Sequence, residues 1–153
     1  MADSEQIAPA SSQLLANAAA AATIARACGV EPSCIKEAIG SFKLAPHRAQ
    51  FLGQLDQVRF VNDSKATNAH AAEASLGASE SIIWILGGLL KGVDPEPLIM
   101  RHGAKLRGVV LLGADTEVLE GLFRSHLPAV PVFLAAKDDP MGSAVLFAVE
   151  MSQ

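Results

Sequence analysis

The alternation of hydrophobic and polar positions changes rhythm near residue 43, and before that point it is helical. Residues 13–28 are almost continuous alanine with Leu14, Leu15 and Ile24 interspersed. Ser11-Ser12 precede them as cap candidates, and Gly29 follows as a residue that readily ends a helix in the left-handed conformation. Pro32 suits the first turn of a second helix, which carries Ile35, Ala38, Ile39 and Phe42 at helical spacing. The pair predicts a helical hairpin.

Beyond Lys43, short apolar runs alternate with amphipathic stretches. Residues 51–55 and 58–62 read as two strands around Asp56-Gln57, and residues 81–86, 109–112 and 130–134 as buried strands. Helices are expected over 68–78, 95–102, 116–127 and 140–151, with Asn68, Asp115 and Asp139 as plausible caps. The order β-β-α-β-α-β-α-β-α predicts an α/β fold: a doubly wound, mainly parallel, Rossmann-like sheet preceded by the helical hairpin.

Composition narrows the chemistry. The net charge of −4, from 12 basic and 16 acidic side chains, argues against a nucleic-acid partner, which needs a concentrated basic face. No apolar run is long and uninterrupted enough to cross a bilayer, which takes about 20 residues, so no membrane partner is expected. The first residues carry no basic stretch followed by an apolar core, which makes the cytoplasm the expected location. Cys28 and Cys34 match no CxxC spacing and read as reduced, partly buried thiols. His47, His70, His102 and His126 form no paired zinc motif, so no protein-built metal site is expected within the chain.

Two polar clusters carry the candidate chemistry. Val61-Asn62-Asp63-Ser64-Lys65-Ala66-Thr67-Asn68 packs an acid, a base, hydroxyls and amides between a strand and a helix. Gly87-Gly88-Leu89-Leu90-Lys91-Gly92 follows another strand; its paired glycines allow a tight turn and a close approach to a ligand, and Lys91 supplies a cation. Neither a GxxxxGK[ST] loop nor a GxGxxG fingerprint is present. Each cluster alone fits a turn, a helix cap and solvated lysines better than it fits a binding site. In a parallel sheet both would lie at the carboxyl edge, where Lys65 and Lys91 would face one anionic ligand.

Taken in order, Ala45-Pro46-His47-Arg48, the Asn62-Asp63-Ser64-Lys65-Ala66-Thr67-Asn68 string and the Gly87–Gly92 cluster resemble the carboxyl-terminal domain of the Mur ligases of bacterial peptidoglycan synthesis. The Asp-Ser-Lys-Ala-Thr-Asn string is similar to the branch that adds D-glutamate; the sister branches carry an Asp-Tyr-Ala-His type of sequence there. The resemblance implies that residues 1–43 are the helical tail of a central ATPase domain and residues 44–153 the carboxyl-terminal domain, short of its last strand and helix.

It also implies an activity, the joining of D-glutamate to UDP-N-acetylmuramoyl-L-alanine with hydrolysis of ATP through an acyl phosphate. Arg48 would reach the terminal phosphate, Asp63 would hold the nucleotide ribose, and Lys65 would stabilise charge near the phosphates and the reacting carboxylate. Thr67 and Lys91 would receive D-glutamate, and Asn17 would lie on the adenine side. Magnesium would accompany ATP, but its ligands, like the family's phosphate loop, belong to a central domain outside this chain. By itself the chain is therefore expected to be an inactive fragment of a cytoplasmic bacterial ligase. The rival expectation is a stand-alone nucleotide- or carboxylate-binding α/β module, which needs only the two lysine clusters. A signalling receiver shares the doubly wound sheet, but it requires an acidic pair after its first strand, where only Asp63 stands here.

Overall fold

The computed structural model describes residues 12–43, 45–88, 90 and 92–152. The chain divides into two compact units, Met1–Ala66 and Thr67–Gln153.

The first unit contains α1 (Ser12–Ala27), α2 (Pro32–Ser41), β1 (Gln50–Leu55) and β2 (Val58–Asn62). Helix α1 stops where the glycine signal falls. Gly29 takes φ +82°, and the Val30 N–H donates to the Ala25 carbonyl at 3.0 Å, satisfying one of the last-turn carbonyls. Pro32 opens α2, which runs beside α1 in the expected hairpin. Cys28 and Cys34 are both exposed free thiols rather than partly buried ones, because the turn between the helices lies open to solvent.

Strands β1 and β2 form an antiparallel hairpin that turns at Asp56-Gln57, with Asp56 at φ +52°. A bulge between Phe51 and Gly53 shifts the register so that Gln50 faces Asn62 at the open end. Among the described residues these strands pair only with each other, so they are not part of the parallel sheet. Their antiparallel pairing follows from the connection: a two-residue turn can join only antiparallel neighbours, whereas parallel pairing needs a crossover of about a dozen residues or more.

The second unit is the doubly wound part. Strands β3 (Ile82–Gly87), β4 (Leu106–Leu112) and β5 (Val132–Leu134) form a parallel sheet in the order β3-β4-β5. Helix α3 (Ala69–Gly77) precedes it, α4 (Glu96–His102) and a 3-10 turn (Gly103–Lys105) link β3 to β4, α5 (Thr116–His126) links β4 to β5, and α6 (Pro140–Met151) follows. Alternation along β4 sends successive side chains to opposite faces. Val109 and Leu111 join Ile99 of α4 and Leu119 and Phe123 of α5 in the core, with Trp84, Leu86 and Val132 packed against them. Phe123 meets Trp84 edge-on, centroids 6.3 Å apart. On the other face α6 covers β3 and β4; Phe147 stacks on Phe133 at 5.3 Å, and Gly108 leaves room for Met151. Each large side chain wholly removed from water here contributes about 1.5–3 kcal/mol.

Asn68 and Asp139 cap α3 and α6 as expected, accepting from the N–H groups of Ala71 at 2.9 Å and Gly142 at 3.0 Å. Asp115 stands at the start of α5 but makes no side-chain cap; its carboxylate is used elsewhere.

His102, at the end of α4, is buried, with 6% of its surface exposed, and neither ring nitrogen has a hydrogen-bond partner among the described residues. Its Nε2 lies 3.9 Å from Glu73 Oε1, too far for a hydrogen bond, and Glu73 is ion-paired with Arg101. Burial pushes the imidazole pKa down; Glu73 opposes this, and Lys105 and Arg101 reinforce it. The sign of the linkage follows. The unfolded chain takes up the proton more readily, so the contribution of neutral His102 is complete above about pH 6.5, the ordinary imidazole value, and is lost as pH falls toward the lower folded value. His102→Leu is expected to be neutral or stabilising by about 1 kcal/mol at pH 7, since it removes two unsatisfied polar atoms. It should also flatten the decline in stability below pH 6.5, as read from urea midpoints across pH.

Candidate functional site

In the first unit, two loops meet at the open end of the β1–β2 hairpin: residues 46–49 before β1 and residues 63–66 after β2. Four hydrogen bonds tie their residues together or shape them. The Ala49 N–H donates to Asp63 Oδ1 at 2.9 Å, the Lys65 N–H to the His47 carbonyl at 3.1 Å, and the Asn62 amide bonds the His47 ring at Nδ1, 2.9 Å away. The Ala66 N–H closes a turn on the Asp63 carbonyl at 2.8 Å. Arg48 sits between two left-handed residues, His47 at φ +66° and Ala49 at φ +44°. For alanine that conformation costs of order 1 kcal/mol or more, and the lacing holds it in place.

Arg48, Asp63 and Lys65, which the sequence placed 15 and 17 positions apart, are thus carried on one stitched pair of loops. Asp63 is half-buried and commits Oδ1 to the Ala49 N–H, so part of its acceptor capacity is structural. The Arg48 and Lys65 side chains are exposed and enter no hydrogen bond or ion pair among the described residues. Two exposed cations held on positioned backbone, on the same loops as the Asp63 carboxylate, are an arrangement able to attract an anion. Asn17 lies exposed on α1.

The remaining candidates belong to the second unit. Thr67 is exposed, next to the Asn68 cap. Lys91 lies outside the described residues, so its convergence with Lys65 is a matter for proposal; β2, which precedes Lys65, is not a strand of the parallel sheet that precedes Lys91.

The glycines of the second cluster permit a turn and a close approach. Gly87 packs directly against the neighbouring strand: a Cβ there would lie 1.6 Å from the Leu112 carbonyl oxygen. Gly88, at φ +108°, makes the turn, and its N–H donates to that same carbonyl at 3.1 Å. Asp115 fastens the loop, accepting the Leu90 N–H at 2.7 Å, which explains why it does not cap α5.

Sequence reasoning gave no role to His47, Asn62 or this use of Asp115. One local signal existed for Asn62. An asparagine two residues before Ser64 is an Asx-turn pattern, and its Oδ1 does accept the Ser64 N–H at 3.1 Å.

No family model matches the chain. Curated relatives do. The chain is 41% identical to the UDP-N-acetylmuramoylalanine–D-glutamate ligase of Corynebacterium diphtheriae, over 97% of this chain and 32% of the relative. It is 46% identical to the ligase of the same name from Leifsonia xyli subsp. xyli, over 82% of this chain and 24% of the relative, and 46% identical to that of Thermobifida fusca, over 91% and 30%. The chain thus spans about a quarter to a third of the length of these relatives. Identity at this level across most of its residues places the chain with the Mur ligases, to which it belongs as a segment. The particular members it matches are the UDP-N-acetylmuramoylalanine–D-glutamate ligases.

Proposed function

We propose that this chain supplies the carboxyl-terminal part of a cytoplasmic ATP-dependent ligase that joins D-glutamate to UDP-N-acetylmuramoyl-L-alanine. The observation that carries the proposal is the pair of exposed cations, Arg48 and Lys65, whose side chains have no partner among the described residues, on loops stitched together around Asp63, in a chain 41–46% identical to ligases of that name.

Such a surface suits a polyphosphate. Arg48 offers a planar fork able to bind two oxygens of the terminal phosphate, and Lys65 a compact charge that stabilises negative charge growing on the acyl phosphate and its leaving group. Asp63, beside them, is assigned to the ribose hydroxyls, for which an ionised carboxylate is a suitable acceptor. Thr67 and Lys91 bind D-glutamate, the first through its hydroxyl and the second by charge, and Asn17 lies on the adenine side. Residues 1–43 then belong with the ATPase domain and residues 44–153 with the carboxyl-terminal domain. When bound, ATP supplies the phosphoryl group that activates the carboxylate. Magnesium is assigned no residue of this chain, and among the described residues no group of three acidic, His or Cys side chains is placed to hold a metal.

Cations from one segment provide only part of a phosphoryl-transfer site. The isolated 153-residue chain, given ATP, magnesium, UDP-N-acetylmuramoyl-L-alanine and D-glutamate, should release no phosphate above background. By calorimetry it should bind ATP and D-glutamate more weakly than micromolar. Turnover would overturn the fragment reading, and micromolar affinity would favour a stand-alone binding module.

A further inference from the structure

Besides the residues already given roles, the two stitched loops contain a contact whose donor and acceptor can be fixed. Asn62 lies at the end of β2 with its side chain between the loops. Its Oδ1 accepts the Ser64 N–H at 3.1 Å. A backbone N–H can only donate, so this bond settles which end of the amide is oxygen, an assignment otherwise open to a flip. The other end, Nδ2, faces His47 Nδ1 at 2.9 Å and is necessarily a donor. Nδ1 must therefore offer a lone pair, and the His47 ring carries its proton on Nε2.

We propose that Asn62 and His47 are a positioning pair for Arg48 and Lys65: the neutral Nε2–H tautomer of His47, held by Asn62, keeps the two cation-bearing loops in register. What the register serves rests on the ligase reading; that the pair sets it does not. The His47 ring and main chain act at one point, since the His47 carbonyl receives the Lys65 N–H at 3.1 Å while its N–H donates to Gln50 Oε1 at 2.9 Å. Arg48 follows directly in the chain, and Asp63 takes the next amide, that of Ala49. The charged groups on the two loops are Arg48, Asp63 and Lys65. A proton arriving at Nδ1 places a donor against a donor and breaks the Asn62 bond; the left-handed backbone at His47 and Ala49 then loses a main restraint.

Three consequences are measurable on the 153-residue chain by NMR. Imidazole 15N shifts at pH 8 should show His47 protonated at Nε2 alone. Protection of the Lys65 amide at pH 8, corrected for intrinsic exchange, should be about fivefold to tenfold lower in Asn62→Ala than in the wild-type chain. His47→Asn should retain the high protection, because asparagine brings an acceptor oxygen and tolerates positive φ. This variant also guards against the chance that Asn62→Ala simply loosens the fold. A ring protonated at Nδ1, or Lys65 protection unchanged in Asn62→Ala, would overturn the proposal. Failure of the ligase reading shows separately, as absence of D-glutamate-dependent turnover when this chain replaces the matching segment of a whole ligase, and leaves these shifts and exchange rates unaffected.

Discussion

Gly87→Ala is expected to destabilise the second unit by more than about 4 kcal/mol, a size reserved for a few mechanisms, one of which is steric overlap with fixed atoms. The added Cβ would lie 1.6 Å from the Leu112 carbonyl oxygen and 2.6 Å from its carbon, both main-chain atoms of the adjacent strand. No rotamer change relieves that overlap, because strand β4 must move. Its residues Val109, Val110 and Leu111 are wholly buried, so the displacement spreads through the core. It also breaks the bond from the Gly88 N–H to the same carbonyl and presses on Gly113, whose own Cβ would come 2.6 Å from Gly88 N. Gly121→Ala is the control. That glycine lies inside α5 with nothing within 4 Å of its Cβ, and alanine should stabilise by about 0.5–1 kcal/mol. Urea midpoints of the two variants should move in opposite directions. A Gly87→Ala midpoint within error of wild type would mean that the loops after β3 and β4 do not meet.

Lys65→Ala and Arg48→Ala should each cost about 10²–10³-fold in turnover, the loss found when one positioned group that stabilises transition-state charge is removed. The setting is a ligase from Thermobifida fusca in which this chain replaces the matching segment. Lys65→Arg should not restore the rate, since a broader, more weakly hydrated guanidinium does not substitute for a point charge at a fixed place. The same variants should leave stability within about 0.5 kcal/mol, as exposed substitutions away from special features do. The structure gives a specific reason. The Lys65 and Ala49 bonds that stitch the loops use main-chain N–H groups, so truncating the Lys65 or Arg48 side chain leaves the stitching in place. Turnover within threefold of the parent for both variants would remove the basis for assigning them to the phosphates.

The elements were legible because periodicity and end signals agreed. Gly29, Pro32, Asn68 and Asp139 mark helix ends where each local conformation or cap needs them, and α6 runs from Pro140 to Met151 as its pattern indicates. What the sequence hid was pairing and lacing. Residues 51–62 read as strands wherever they pair, and only their short turn reveals that they pair with each other. The 46–49 loop offers no periodicity, and its link to Asp63 is a contact 14 residues apart between a main-chain amide and a carboxylate, which spacing alone cannot announce. Asp115 illustrates the same limit. A carboxylate at a helix start looks like a cap, yet a closer donor, the Leu90 N–H 25 residues upstream, takes it. The paired glycines were rightly read as permitting close approach, but the approaching group is a neighbouring carbonyl. Of the candidate site, Asp63 and Lys65 stood out in a polar cluster between a strand and a helix and Arg48 came from motif resemblance, while what unites them is visible only in three dimensions.

The measurement that bears most directly on the central claim is phosphate release by that segment-replaced ligase, supplied with ATP, magnesium and UDP-N-acetylmuramoyl-L-alanine, with and without D-glutamate. The account predicts release that depends on D-glutamate, within about tenfold of the unaltered Thermobifida fusca enzyme given sequences 46% identical over 91% of this chain. A folded hybrid that releases no phosphate in response to D-glutamate would contradict it.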